Sequence, residues 1–332
     1  MWCYRLFLNR EPESEATIDW QIAVNADLRE LRGRLIDSSE FFAIIRNQEY
    51  GIPSFLLPPI VNGEMRIKEP TLESPSSQMA TYSQMQERHY TEFLTTIGVS
   101  TFEIHRKYWE WAYIWRALEV TGMTQAGKRG LVFAVGAEPI PSMLAKRGVK
   151  VHASDSPQEI GEMWRVSQQF SDSLKQLWRE DICSWEDMEQ HVSFREVDML
   201  NIPTDLRDFD FCWSSCSLEH IGGIEPGLQF IENTLETLKP GGIAVHTTEF
   251  NLSSNDKTID GFPTCLFRRQ DLEKLTDRLR QQGHKVWDWN FWPGAGQHDF
   301  HIDFPPFAPP HLKINLYQYV STSIGLVVEK KA

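Results

Sequence analysis

The chain has 332 residues, of which 41% are hydrophobic and 12% aromatic, enough to fill one large core and a small second domain and too much for a disordered chain. Its net charge of −13 argues against a nucleic-acid partner, because neutralising phosphates needs a basic face and no Lys/Arg-rich run supplies one. No apolar run approaches the length of a bilayer span, and five cysteines (Cys3, Cys183, Cys212, Cys216, Cys265), odd in number and without C-x-x-C spacing, read as reduced thiols of a cytoplasmic protein.

Residues 1–50 read as a helical module. Trp20, Ile22, Leu28, Leu31 and Leu35 recur at helical spacing, while Arg5, Asn9, Arg10 and Glu11 break any apolar leader. Residues 51–82 carry Pro53, Pro58, Pro59, Pro70, Pro75, Ser76 and Ser77 and read as a connecting segment. The main domain, 83–332, opens with a helical pattern over Ser83 to Leu118 that is dense in rings from His105 to Trp115. Trp111 and Trp115 share a helix face, as do Tyr108 and Trp115. These rings read as a lid over a ligand or, the stronger expectation, as packing of a helix on a sheet.

Next, an apolar run from Leu131 to Val135 reaches Gly136. An amphipathic segment follows, and a second run (Val149, Val151) ends at Asp155. That is strand, tight turn, helix, strand, with a carboxylate at the second strand's tip. In an open α/β sheet this carboxylate lies at the carboxyl edge, where it can hold the two hydroxyls of a ribose, so an adenosine-containing cofactor is expected. A dinucleotide wants G-x-G-x-x-G, but Glu138 takes the second glycine position and Pro141 the third. Glu138 would repel a pyrophosphate, and Pro139 and Pro141 each lack an amide donor. S-adenosylmethionine carries no phosphate and has a sulfonium and an ammonium that tolerate a carboxylate. It is therefore the expected cofactor, with Gly136, Ala137, Glu138, Asp155 and Ser156 as contacts, and Arg106 or Lys107 in reach of its carboxylate. An NAD(P)-dependent oxidoreductase is the rival.

Ile160 to Trp185 reads as a long helical stretch, and Ser193 to Val197 as the third strand with Asp198 and Met199 at its tip. Asp208 to His220 (Asp-Phe-Asp-Phe-Cys-Trp-Ser-Ser-Cys-Ser-Leu-Glu-His) then resembles the fourth strand and catalytic loop of class I S-adenosylmethionine-dependent methyltransferases. Leu238 to Glu249 (Leu-Lys-Pro-Gly-Gly-Ile-Ala-Val-His-Thr-Thr-Glu) resembles that family's helix end, glycine turn and fifth strand, with the glycine pair capping the helix. Lys285 to Trp292 and Tyr319 to Val328 read as the last two strands. The resemblance implies a doubly wound, mostly parallel α/β sheet of seven strands, Rossmann-like, beside the N-terminal helical module. It adds Asp198, Met199, Ser214 and Ser215 to the expected cofactor contacts, although Asp198 reads equally well as a cap and Met199 as core. The departure from the family is Gly-Ala-Glu-Pro-Ile-Pro where a glycine-rich turn is usual.

For the chemistry, an alcohol needs a base or a metal to become a nucleophile at neutral pH. His220, just past the fourth strand, is the expected base, with Glu219 to orient it and His246 and Glu249 as further candidates. The bland reading of Glu219 and His220 is a helix start. The same Glu-His also resembles ubiquinone-pathway and small-RNA methyltransferases, in which a Glu-x-x-Glu-His run binds a divalent metal. Here Cys216 stands at the first glutamate position, so the set needs completing by His246 and Glu249, or by His298, Asp299, His301 and Asp303 of a polar insertion at 297–306. Strand alternation would send His298 and His301 to opposite faces, and a metal is the weaker expectation.

Taken together, Gly-Ala-Glu-Pro-Ile-Pro, Ser-Ser-Cys-Ser-Leu-Glu-His-Ile-Gly and Ala-Val-His-Thr-Thr-Glu-Phe-Asn-Leu-Ser-Ser-Asn look like a bacterial methyltransferase group associated with surface polysaccharides. Tyr-Arg-Leu-Phe-Leu-Asn-Arg-Glu-Pro-Glu with Ser-Ser-Glu-Phe near the N-terminus is similar to a short helical domain of unknown function attached to glycan-related bacterial proteins. The resemblance implies O-methylation of a saccharide hydroxyl, in a polysaccharide or its precursor. The polar run Thr247 to Asn255 offers hydroxyls and amides suited to a sugar. The alternatives are a small-molecule methyltransferase and a non-catalytic scaffold in glycan assembly, with the module as the contact for a second copy or a glycan-assembly partner.

Overall fold

The computed structural model describes residues 4, 8, 11–36, 38–40, 52–58, 60–61, 64–65, 67–157 and 170–332, and the chain divides into two units, 1–54 and 55–332. In the first unit, Ser14 starts helix α1 (Glu15–Val24) by accepting the Thr17 amide on its hydroxyl at 3.2 Å. Asp27 receives the Arg29 and Glu30 amides at the start of α2 (Leu28–Ile36). Trp20, Ile22 and Leu28 are 56%, 70% and 65% exposed, so of the stripe that the spacing predicts only Leu35 is buried, together with Tyr4 and Leu8. The expected Ser-Ser-Glu-Phe end of the module lies in part outside the described residues.

The second unit is organised by a nine-stranded sheet, two strands more than expected among the described residues. Its strands are β1 (Arg129–Phe133), β2 (Lys150–Asp155), β3 (Val192–Glu196), β4 (Phe209–Ser215), β5 (Leu238–Asn251), β6 (Lys285–Val286), β7 (Ile302–Asp303), β8 (Lys313–Leu316) and β9 (Tyr319–Glu329). The order is β7-β8-β9-β5-β4-β1-β2-β3, with β6 also paired to β9. The five strands from β3 to β5 are mutually parallel, and β9 runs antiparallel beside β5. Of the two additional strands, β7 lies in the late insertion at 297–306 and β8 follows it.

The central parallel strands β1 and β4 are apolar on both faces because helices cover both, whereas the edge strand β3 is largely exposed. Helices α3 (Arg88–Thr96), α4 (Arg106–Val120), α5 (Ile140–Lys146), α6 (Leu174–Leu177) and α7 (Trp185–His191) precede α8 (Ile224–Glu236) and α9 (Arg269–Gln281). Phe211 and Trp213 of β4 join Val132, Val245 and Val327 in a core with Trp109 and Tyr113 of α4. Ser214 of β4 points to the opposite face, where α8 lies. The ring-rich helix is thus mainly sheet packing: Trp109, Tyr113 and Trp115 are buried, with Trp109 stacked on Tyr113 at 5.0 Å.

Four expectations need correcting. Residues 51–82 are not a free connection: the boundary falls at 54, and Leu72, Ser77, Gln78, Met79 and Ala80 are fully buried. Gln78 explains part of this, since its amide donates to Gln84 Oε1 and to the Thr71 carbonyl, and Trp109 Nε1 donates to the same Gln84 oxygen. The long helix over 160–185 is not continuous; 158–169 lie outside the described residues, and beyond them come the single turn of α6 and then α7. Lys285 to Trp292 gives two short strands, of which Trp289–Asn290 pairs with Ser77–Gln78 away from the main sheet. Gly241 and Gly242 do not cap α8. They form a bulge inside β5, where Gly241 has φ +74° and a Cβ on Gly242 would meet the Lys239 carbonyl at 2.9 Å.

Candidate active site

From β1 the chain builds outward through β2 and β3 on one side and through β4 and β5 on the other. The crevice between the carboxyl ends of β1 and β4 is therefore the topological switch point, the place where open α/β sheets bind ligands. A cavity of ≈ 290 Å³ lies there. Its wall includes Ala134 to Glu138 after β1, Asp155 and Ser156 at the tip of β2, Met199 after β3, and Ser215 to Ser217, His220 and Ile221 after β4. Lys107 and Trp111 of α4 close the remaining side. Seven of the nine expected cofactor contacts thus meet at one cavity with the expected base: Gly136, Ala137, Glu138, Asp155, Ser156, Met199 and Ser215.

Asp155 is buried and tied to three amides: Oδ2 receives Gly136 N at 2.9 Å and Ser171 N at 3.1 Å, and Oδ1 receives Ser156 N at 2.8 Å. Burial raises its pKa to about 6 against the pull of these donors. Glu138 is also buried, with its Oε1 accepting the indole N–H of Trp213 at 2.5 Å, and burial pushes its carboxyl up to about 8. The Glu138 proton is held in the folded chain over a pH range in which the unfolded chain has lost it. Stability is therefore expected to fall as pH rises from about 4.5 to about 8, with Asp155 adding the same sign up to about 6. Urea unfolding of Glu138→Gln across this range should show a shallower decline than the parent; an unchanged slope would disprove the assignment.

His220 sits at the lip of the cavity. Its Nδ1 lies 2.9 Å from the Pro263 carbonyl, to which it donates, so in the neutral ring Nε2 carries the lone pair. Glu219 is buried beside it: Oε2 receives the Thr248 hydroxyl at 2.9 Å, and Oε1 lies 3.8 Å from His220 Nε2. Burial raises the Glu219 carboxyl above the usual range. The chain turns between β4 and His220 through Cys216, whose φ of +43° is a left-handed conformation that a residue with a Cβ adopts at a cost. The Thr247 carbonyl fixes this turn by accepting the Cys216 amide at 3.0 Å.

Beneath the cavity lies a buried charge cluster that the sequence reading lacked. Glu110 of α4 receives Lys107 Nζ at 2.6 Å on Oε2, and Arg106 Nη1 at 3.3 Å, Ser323 Oγ and Cys216 Sγ on Oε1. Burial alone would raise Glu110, but Lys107 and Arg106 override it and hold the carboxyl near 2. Glu249 pairs with Arg106 Nη2 through Oε1 and accepts the Ser321 hydroxyl on Oε2. Helix spacing could have flagged Glu110, since Arg106 and Lys107 stand four and three residues before it. Ser321 and Ser323 carried no signal, being serines in an otherwise apolar strand.

Three expected site residues lie elsewhere. His246 is buried on the α8 face, with Nδ1 2.8 Å from Ser214 Oγ and Nε2 3.3 Å from Thr234 Oγ1, and burial lowers its pKa to about 3. It is a neutral core histidine, and Ser214 is its partner, not a cofactor contact. Asp198 caps a turn by accepting the Leu200 amide at 2.9 Å and the Asn201 side-chain amide at 2.6 Å. In the late insertion, Asp299 receives Tyr82 N and Gly296 N, Asp303 binds His311 Nδ1 at 2.5 Å, and His298 packs edge-on against Tyr82. These acids hold the insertion to the body and complete no metal set.

No protein-family model matches the chain, and no curated protein matches it. Solved structures similar to it include an S-adenosylmethionine-dependent methyltransferase from Clostridium acetobutylicum (14% identity, 68% of this chain and 92% of that one, TM-score 0.39). Others are the CcbJ methyltransferase from Streptomyces caelestis (15% identity, 65% and 93%, TM-score 0.38) and the N-terminal domain of EvdMO1 with S-adenosylhomocysteine and D-fucose (13% identity, 67% and 83%, TM-score 0.40).

Proposed function

We propose that the chain is an S-adenosylmethionine-dependent O-methyltransferase acting on a small hydroxylated acceptor, a saccharide or its carrier-linked precursor in the first instance. The observation that carries this reading is the meeting of Asp155, Glu138 and His220 at one switch-point cavity. The lining fits the cofactor. Met199 and Trp111 offer an apolar slot for the adenine, Asp155 stands at the ribose position, and the buried Ser217 hydroxyl, with no hydrogen-bond partner among the described residues, borders the same cavity. Pro139 and Pro141, at the start of α5, withhold the amides a pyrophosphate would need.

When bound, S-adenosylmethionine supplies an electrophilic methyl group with its leaving group already in place. The protein's task is then to place the acceptor and take its proton. His220 does the second through Nε2, while the Pro263 carbonyl fixes the ring through Nδ1 and Glu219 Oε1 lies 3.8 Å from Nε2 itself. The sugar assignment is supported by the sequence resemblance described above and by the small polar lip of the cavity. Calorimetric titration with S-adenosylhomocysteine, NAD and NADP tests the cofactor: binding of a dinucleotide and not of the methylated cofactor's product would end this reading. Asp155→Ala is expected to weaken S-adenosylhomocysteine binding by about 1–3 kcal/mol, the cost of a lost hydrogen bond to a charged acceptor. Incubation with radiolabelled S-adenosylmethionine and fractionated bacterial glycans tests the acceptor.

A further inference from the structure

The resemblance to metal-binding methyltransferases would place a divalent ion against Cys216, Glu219 and Glu249, whose ligand atoms lie within 4.8 Å of one another. As they stand, these residues do not fit a metal, because a cation is already among them. The Arg106 guanidinium pairs with Glu249 through Nη2. Its Nη1 lies 3.8 Å from Cys216 Sγ, 3.3 Å from Glu110 Oε1 and 3.1 Å from Ser323 Oγ. Charge closes without an ion: Arg106 and the part-exposed Lys107 face the buried Glu110 and Glu249. A divalent ion at Cys216 and Glu249 would sit against a fixed guanidinium in a site of low dielectric, where repulsion between like charges is strong. Arginine suits the post, since its planar fork can serve several acceptors and it does not lose its proton. The Oε1 of Glu219 is buried and has no hydrogen-bond partner among the described residues, with His220 Nε2 3.8 Å away.

We propose that Arg106 is the resident cation of this site: its guanidinium occupies the place of a divalent ion and positions the loop from Cys216 to His220 against α4 and β5. Removing the guanidinium should therefore uncover a latent metal site with a thiolate ligand. This inference stands on the geometry alone, and its test reads metal binding and not methyl transfer, so its failure and that of the methyltransferase reading are told apart.

The test is titration of the full chain with Co²⁺ alone, watching for the visible and near-ultraviolet bands of a cobalt thiolate. The parent protein and Arg106→Lys should show no such band that depends on Cys216, and EDTA should leave the parent's spectrum unchanged. Arg106→Ala should develop the band at one ion per chain, and Arg106→Ala combined with Cys216→Ser should lose it. A band in the parent that Cys216→Ser abolishes would overturn the proposal, as would a folded Arg106→Ala that takes up no cobalt. Should Arg106→Ala fail to fold, the parent, its Cys216→Ser variant and Arg106→Lys still decide between the two outcomes.

Discussion

His220→Ala is expected to lower methyl transfer by roughly two to four orders of magnitude while leaving S-adenosylhomocysteine affinity nearly unchanged, the signature of a positioned general base that makes little contact with the cofactor. The expectation rests on ring orientation. With Nδ1 donating to Pro263, the imidazole presents Nε2, and the ring belongs to the cavity wall. The measurement is turnover with an acceptor found by the labelled-cofactor screen, read beside a calorimetric titration of the same variant. Full turnover in His220→Ala would remove the base from this reading. His246 could not inherit the role, since it lies on the other face of the sheet with both ring nitrogens engaged.

Glu110→Ala is expected to cost about 3–5 kcal/mol of stability, the penalty for leaving buried charges without their counter-ion. Its carboxylate, itself fully buried, is the partner of the part-exposed Lys107 and one of the two carboxylates holding Arg106. Glu110→Gln keeps the shape but not the charge and should lose less. Because the folded pKa lies near 2, below the ordinary 4.5, the stabilisation from Glu110 is fully present above 4.5 and is lost as pH falls toward 2. Urea unfolding at neutral pH, repeated down this range, measures both effects. A loss below about 1 kcal/mol for Glu110→Ala would show that the cluster is not the stabilising unit described here.

The parts of the site legible in the sequence are those carried by strand tips. An apolar run ending in a glycine or a carboxylate has few structural meanings, so Gly136, Asp155, Ser215 and His220 could be placed at one sheet edge before any coordinates. What failed was parity. Ser214 and Ser215 are neighbours of the same chemistry, yet alternation sends the first to His246 beneath α8 and the second to Glu110 beneath the cavity. Sequence cannot set that parity without knowing where the strand begins. His246 misled for the same reason: a histidine beside a catalytic loop in sequence can lie across the sheet from it. Residues 51–82 read as a free connection because proline and serine mark a loop but do not say whether it is buried. Here polar side chains such as Gln78 and Gln84 satisfy its backbone and let it pack. The long-range partners of the charge cluster were beyond reach, since only the antiparallel insertion of β9 brings Ser321 and Ser323 under α4.

That insertion also imposes an order of events during synthesis. Ser323 reaches Glu110 across 213 residues of chain, and β5, which β9 flanks, is itself incomplete at one edge until β9 arrives. At ordinary ribosomal speeds the interval between making the two halves of the cluster is roughly 10–40 s. For the last part of it, between Asn251 and Tyr319, the nascent chain carries Arg106, Lys107, Glu110 and Glu249 without two of the hydroxyls that later solvate them, and the sheet with an unpaired edge where β9 will lie. A chaperone that shields exposed strand edges would find its target in this window, and rare codons placed shortly before residue 319 would prolong it.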